Sequence, residues 1–512
     1  MEFLVNAPHA MPGDARTPPA RGAPARAVPA ILTGIALLAA GLRFHRLAAR
    51  TFWFDEGVSA AIARLDWYNF GRILWRREAN MSLYYLLLRG WLHFGQSEFW
   101  VRTLSVLLAV ATVPLLYALG RTLFDRRTGM IAATLLAVNA YHVRYSQEAR
   151  SYSLMVLLCV ACSLYFLKLL ELPSRRNRVA YVLLATAAVY AHFYSGLLVV
   201  AQWLSLLLVD RESVPQQVRK DWRWIALLVA PILVFVATTG AGPLRWIERP
   251  GGKTLWQLGL RLAGNDGAVL LALYGAAVLA AAIQSKQDKS RRSGSAAWRY
   301  RFLLLWLLFP IVSVFVLSAI RPLFLPRYFL LCLPALLLLA AAGLGRVRSP
   351  WIMTGATLVL VVLSLQGTAS YYRQDFEDVE RENWRAATEY ILTNSRPGDA
   401  VMFHVPMGRM PYEYYQSLRP GPAAGPAVLY PSHGDRIGFL DFVEKPSYRL
   451  LEGEVSEHRR VWLVLSHAES PSGTDETSSA LSQMIAAGHG GVQAHDFAGL
   501  EVLLYTADGE IR

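Results

Sequence analysis

Charge and cysteine are both scarce in this chain. Only 17% of its 512 residues are charged, against roughly 25% in an ordinary soluble protein. With 54% hydrophobic residues, that excludes a protein whose whole surface faces water. Three cysteines, Cys159, Cys162 and Cys332, are too few for a disulfide framework. The first two form C-x-x-C inside the apolar run LMVLLCVACSLYFL, with no further ligands nearby, and read as small packing residues. His404 starts no zinc spacing. No nucleotide-type glycine fingerprint and no internal repeat is visible. The net charge of +14 is not a nucleic-acid signature, because much of it lies in short loops between apolar runs, where it sets orientation and meets anionic lipid.

Long apolar runs dominate what is present. Windows of about 19 residues pick out spans at 28–46, 100–120, 128–143, 151–170, 179–192, 194–210, 223–240, 267–284, 302–320, 327–344 and 350–367. The expectation is a multi-spanning α-helical membrane protein with about eleven transmembrane helices. Residues 1–27 are rich in Pro, Ala, Gly and Arg and read as a disordered cytoplasmic tail. The loops at 121–127, 168–178, 211–223, 286–301 and 346–348 are basic and are assigned to the cytoplasm. An odd span count then puts the C-terminal portion outside, in a plasma membrane of bacterial inner-membrane type.

The membrane domain is expected over 28–369, with an outer-face loop at 47–99 holding one or two interfacial helices. From 370 to 512 the pattern changes. NWRAATEYILTNS and SSALSQMIAAG read as helices, and DAVMFHV, RVWLVLSH, VQAHDF and LEVLLYTA as strands. Their alternation predicts a small extracytoplasmic α/β domain.

Acids beside the membrane are costly unless they serve a purpose. Asp55 and Glu56 follow the aromatic run Phe52-Trp53-Phe54 and begin the helix-like EGVSAAIARL. Asp55 is the candidate general base, and an N-cap is the competing role for it. A second cluster, His142, Tyr145, Gln147, Glu148, Arg150 and Tyr152, falls between two spans on the same predicted face. His192 with Tyr194, and Arg321 with Arg327 and Tyr328, lie in further outer loops. The loop at 240–266, with Arg245, Trp246, Arg249 and Lys253, is a candidate lid.

The region 98–158, together with FWFDEG, SLYYLLL, YAHFYSGLL and FLPRYFLLCLPAL, resembles glycosyltransferase family 39 of the GT-C superfamily. That family includes protein O-mannosyltransferases, and the chain is also similar to the lipid A aminoarabinose transferases. The tail ENWRAATEYI…RPGDAVMF resembles that of many bacterial members. One departure is Met81-Ser82, where relatives usually carry Pro-Pro. The resemblance implies an integral-membrane enzyme that takes one sugar from a polyprenyl-phosphate carrier. It would pass that sugar to a lipid, glycan or protein acceptor on the outer face. It implies Asp55 and Glu56 as catalytic residues. It implies His142, Gln147, Glu148, Arg150, Tyr152, His192, Tyr194, Arg327 and Tyr328 as the donor-binding set. The resemblance fixes no cofactor and leaves a divalent cation open, with Glu148 as the residue to orient the sugar or bind that cation. A lipid phosphate is already a good leaving group, so what it needs is fixed positive charge rather than a second acid. The competing classes are a polysaccharide polymerase or ligase and a non-catalytic lipid-carbohydrate transporter. A transporter more often carries mid-span ionisable groups and repeated halves.

Overall fold

The computed structural model describes residues 27–208, 216–239, 247–264, 267–291, 295–373, 382–419, 425–431, 437–442, 445–466, 469–470, 473–474 and 476–507. Residues 1–26 of the expected tail at 1–27, Arg211 in a basic loop, and Arg245 and Trp246 of the candidate lid lie outside the described residues.

The chain enters through α1 (Ala27–Phe44) and then runs through three short helices, α2 (Phe54–Arg64), α3 (Trp67–Arg76) and α4 (Ser82–Trp91). Where the sequence pointed to one or two helices in this outer loop, there are three. Asp66 makes the extra break, because its carboxylate accepts the Tyr68 and Asn69 amides and starts α3 afresh. Trp67, Tyr68 and Trp75 remain exposed on α3, as expected of rings at headgroup level.

The membrane bundle continues with α5 (Glu98–Leu123), α6 (Arg126–Val138), α7 (Ala140–Ser146), α8 (Tyr152–Glu171), α9 (Arg175–Ala191) and α10 (Ser195–Leu206). Then follow α11 (Gln216–Thr239), α12 (Gly252–Ala263), α13 (Ala268–Arg291), α14 (Ser295–Leu317), α15 (Leu333–Gly345) and α16 (Pro350–Arg373). Among the described residues, 7 helices are long and apolar enough to cross a bilayer, or up to 8 if the bent pair α12 and α13 is one span. The difference from eleven arises where apolar runs break. The run at 128–143 is cut by Asn139, whose side chain accepts the His142 amide and caps α7. The runs at 179–192 and 194–210 form α9 and α10, of 17 and 12 residues. Close approach is built in with glycine: a Cβ on Gly120 of α5 would lie 2.8 Å from the Gly129 Cα of α6. The core of the bundle is apolar, with α15 at its centre: Leu333, Leu337, Leu338 and Ala341 are fully buried.

The C-terminal unit contains α17 (Trp384–Asn394), α18 (Arg409–Ser417), α19 (Tyr448–Ser456) and α20 (Glu476–Ala486). Its strands are β1 (Ala400–Phe403), β2 (Ala427–Tyr430), β3 (Arg460–Ser466), the minor pair β4 (Glu469–Ser470) and β5 (Gly473–Thr474), β6 (Gly491–Phe497) and β7 (Leu500–Thr506). The main sheet has the order β2-β1-β3-β7-β6. β1 is parallel to β2 and β3, whereas β7 is antiparallel to β3 and β6. All seven residues of β3 except Arg460 are buried, as befits a central strand covered on both faces. The fold is thus a multi-spanning α-helical membrane protein with a C-terminal α/β unit.

Candidate active site

Asp55 lies in the first turn of α2, not at its cap. Trp53 is the N-cap residue, and no side chain of α2's own start makes a capping hydrogen bond. The carboxylate instead faces two guanidinium groups brought from distant parts of the chain. Asp55 Oδ2 is 3.5 Å from Arg150 Nη2, just before α8, and 3.8 Å from Arg327 Nη2, just before α15. The side chains are 24%, 12% and 22% exposed, respectively. Arg150 Nη1 also reaches the Asp55 carbonyl at 3.3 Å, the Ser59 hydroxyl at 3.2 Å and the Tyr85 hydroxyl at 3.4 Å. The Arg327 guanidinium lies over the Trp53 ring at 5.4 Å.

Burial, the largest single effect, would loosen the Arg150 proton, but Asp55 together with Tyr85, Tyr152 and Glu78 outweighs it and holds the guanidinium well above its ordinary value. Both ion pairs are longer than the roughly 2.7–2.9 Å of a charge-assisted N–H···O bond. The arginines are therefore attracted to Asp55 without being saturated by it. Around them, the Arg150 Nε, the Trp53 indole nitrogen and the Tyr152 hydroxyl are buried without a protein partner among the described residues. Buried donors of this kind are costly unless something accepts from them.

Rings from three segments wall the same region. His192 lies 4.7 Å from Tyr328, 5.4 Å from Tyr194 and 6.4 Å from Tyr152 between ring centroids. Tyr194 and Tyr328 are 5.1 Å apart. Asn80, between α3 and α4, ties the outer loop to this cluster: its side-chain carbonyl accepts the Phe193 amide at 2.9 Å.

Not every residue of the expected set faces Asp55. Glu56, expected to be catalytic, is fully buried and turned away. Its Oε1 accepts from Arg102 Nε and from the Ala149 amide, both at 2.8 Å, and its Oε2 accepts from Arg102 Nη2 at 2.6 Å. Its place is structural, since it pins the segment carrying Arg150 against α2 and α5. His142 is likewise committed elsewhere, with Nδ1 2.7 Å from Arg43 Nη2 in the bundle interior. Gln147 donates to the Arg43 and His45 carbonyls and accepts from the Tyr371 hydroxyl, which joins the ends of α1 and α16. Glu148 is buried in the turn between α7 and α8. Arg249, Lys253 and Arg321 are exposed.

Glu78, in the outer loop before α4, was not singled out by the sequence. Tyr85 donates to its Oε2 at 3.2 Å and accepts from Arg150, so Glu78 joins the Asp55 centre through one hydroxyl. Burial lifts its carboxyl above the usual range; the Arg150 charge opposes this, and Asp55 adds to it. The usable signal is an acid two residues ahead of the run NMSLYYLLL. Among the described residues, no group of three or more His, Cys, Asp or Glu side chains converges as a metal site. A separate cavity of about 410 Å³ lies at the far end of α2, lined by Arg64, Arg89, Glu413 and Tyr414 among others.

Residues 82–239 match the family model described as dolichyl-phosphate-mannose-protein mannosyltransferase. The whole chain is similar in fold to ArnT from Cupriavidus metallidurans bound to undecaprenyl phosphate. That match has 13% identity and a TM-score of 0.59 over 95% of this chain and 99% of that one. The apo state of ArnT gives 13% identity and 0.59 over 94% and 98%. An oligosaccharyltransferase from Archaeoglobus fulgidus in the apo form is similar at 12% identity and 0.50 over 79% and 62%. No curated protein matches the sequence. The family match covers 82–239, under a third of the chain, and the likeness to the solved structures is one of fold.

Proposed function

We propose that this protein transfers a single sugar from a polyprenyl-phosphate carrier to an acceptor hydroxyl on the outer face of the membrane. The observation that carries the reading is the Asp55–Arg150–Arg327 centre, bordered by buried donors that have no protein acceptor among the described residues. In the free enzyme Asp55 holds the two arginines in place. A carrier phosphate entering the centre competes for their N–H groups and for the Tyr152 hydroxyl. Arginine suits this task because its planar fork stays charged and can grip two oxygens.

Once the arginines turn to phosphate, Asp55 is released to accept the proton of the incoming hydroxyl as general base. The hydroxyl oxygen attacks the anomeric carbon, the bond to the phosphate oxygen breaks, and the leaving phosphate keeps the electron pair. Direct attack by the acceptor inverts the anomeric configuration. The two guanidinium groups stabilise the charge that develops on the leaving oxygen. The acceptor is a lipid, a glycan or a protein, and the basic loops assigned to the cytoplasm support an α/β unit outside it. The test is transfer by purified protein from polyprenyl-phosphate sugars to cell-envelope acceptors, read by mass analysis. Release of carrier phosphate without glycosyl transfer, or no consumption of any such donor, would sink the reading.

A further inference from the structure

The segment carrying Asp55 is not held by the membrane helices alone. Thr51 and Phe52 before it, and Phe54 at the start of α2, are gripped by residues from 382 onward. Tyr415 on α18 places its hydroxyl 2.6 Å from the Phe52 amide, from which it accepts, and 2.9 Å from the Thr51 hydroxyl. The same Tyr415 hydroxyl donates to Glu98 at the head of α5. The Arg385 amide donates to Thr51 Oγ1 at 3.2 Å, and its guanidinium pairs with Glu98. Glu382 Oε2 accepts the Phe54 amide at 2.8 Å. That supplies, from more than three hundred residues away, the cap that α2 lacks locally.

The fit is steric as well as polar. A Cβ on Gly57 would lie 2.6 Å from the Pro411 Cβ, so α2 and α18 meet where only glycine is accommodated. The Phe52 and Tyr414 rings are 4.6 Å apart. Glu382 is itself braced by the β6–β7 turn. The Asn383 amide donates to the Ala498 carbonyl at 2.9 Å, and Gly499, at φ +67°, lies close against Glu382. A continuous line of contacts therefore runs from that turn through Glu382 to the backbone one residue before Asp55.

We infer that the C-terminal α/β unit sets the position of Asp55, with Tyr415 and Glu382 as positioning residues that act through the Thr51–Phe54 backbone. This builds on the assignment of Asp55 as general base, because a base must lie within hydrogen-bond reach of the proton it takes. Neither residue touches the Arg150–Arg327 pair in any contact given above. Loss of either should therefore displace the base and leave the phosphate grip intact.

The experiment uses the full-length protein with Tyr415→Phe, Glu382→Ala and Glu382→Gln, in two measurements. Amide hydrogen exchange should show Phe52 losing protection in Tyr415→Phe and Phe54 losing it in Glu382→Ala, with peptides from α8 and α15 unchanged. Transfer kinetics should show kcat falling by about tenfold, the rate equivalent of about 1.4 kcal/mol, at unchanged KM for the polyprenyl-phosphate sugar. Glu382→Gln keeps a carbonyl acceptor and should restore most of both signals. Wild-type protection at Phe52 and Phe54 in these variants overturns the inference. So does a KM rise without a fall in kcat, or a glutamine variant as impaired as the alanine one. If the wild type transfers nothing while the exchange pattern changes as described, the positioning stands and the proposed activity falls.

Discussion

Asp55→Asn separates the two jobs assigned to the centre. Asparagine keeps the shape of the side chain and an acceptor oxygen, but removes the negative charge lying 3.5 and 3.8 Å from two guanidinium groups. At such distances one unit pair is worth about 1 kcal/mol with the screening of bulk water, and about 4 kcal/mol at the intermediate screening of a protein surface. The carboxylate is about a quarter exposed, so the lower figure is the safer guide. A phosphate competing for the same nitrogens no longer has to displace that charge. Binding of sugar-free polyprenyl phosphate should therefore tighten by roughly fivefold or more. Transfer should move the other way, falling by about 10²–10⁴-fold with the loss of a general base. Affinity is read by titration calorimetry in detergent, and turnover by product mass at saturating donor. Turnover within about threefold of wild type would remove Asp55 as base. Weaker phosphate binding would mean that the carboxylate organises the arginines more than it competes for them.

Three further outcomes are expected. Arg150→Lys and Arg327→Lys keep the charge without the fork and should retain partial activity, whereas the alanine variants should lose donor binding by about 1.5–3 kcal/mol each; normal donor titrations for both alanine variants would place the phosphate elsewhere. Burial raises the folded-state Glu78 carboxyl above 4.5, so its contribution to stability is full at acidic pH and is lost as pH rises through that raised value. The melting temperature of Glu78→Gln relative to wild type should accordingly climb between acidic and neutral pH, and a pH-independent difference would refute the assignment. A reporter fused after residue 400 should be active only in the form that works outside the cytoplasm, and cytoplasmic activity would reverse the topology.

The sequence exposed the charged partners of the site better than the scaffold around them. Asp55, Arg150 and Arg327 were legible because each is an ionisable residue at the edge of an apolar run, where its cost demands a reason. Glu56, His142 and Gln147 share that address, yet their side chains turn inward to Arg102, Arg43 and two backbone carbonyls. Which way a loop residue faces depends on long-range partners, and one-dimensional spacing does not contain them. Glu78 was passed over for the same reason, since only the folded chain brings Tyr85 and Arg150 to it. In the C-terminal unit, short strand-like runs located β1, β3, β6 and β7 closely. The four-residue β2 is too short to carry a period, and the grip of α18 on α2 left no local mark beyond Gly57.

Two of the bundle's apolar helices look alike in hydropathy and occupy opposite worlds. The window at Ala27–Phe44 averages 1.8 and is 11% buried, whereas that at Pro326–Gly345 averages 2.2 and is 89% buried. The first can exchange one apolar residue for another freely, because lipid chains conform to whatever outline they meet. The second is enclosed by protein, which does not. A Cβ on Gly343 would lie 2.0 Å from the Ala277 carbonyl oxygen of α13. A leucine there would raise hydropathy and improve every membrane-insertion score while forcing α13 and α15 apart. Drift among apolar residues should thus be wide along α1 and narrow along α15, with side-chain volume rather than polarity as the constrained quantity.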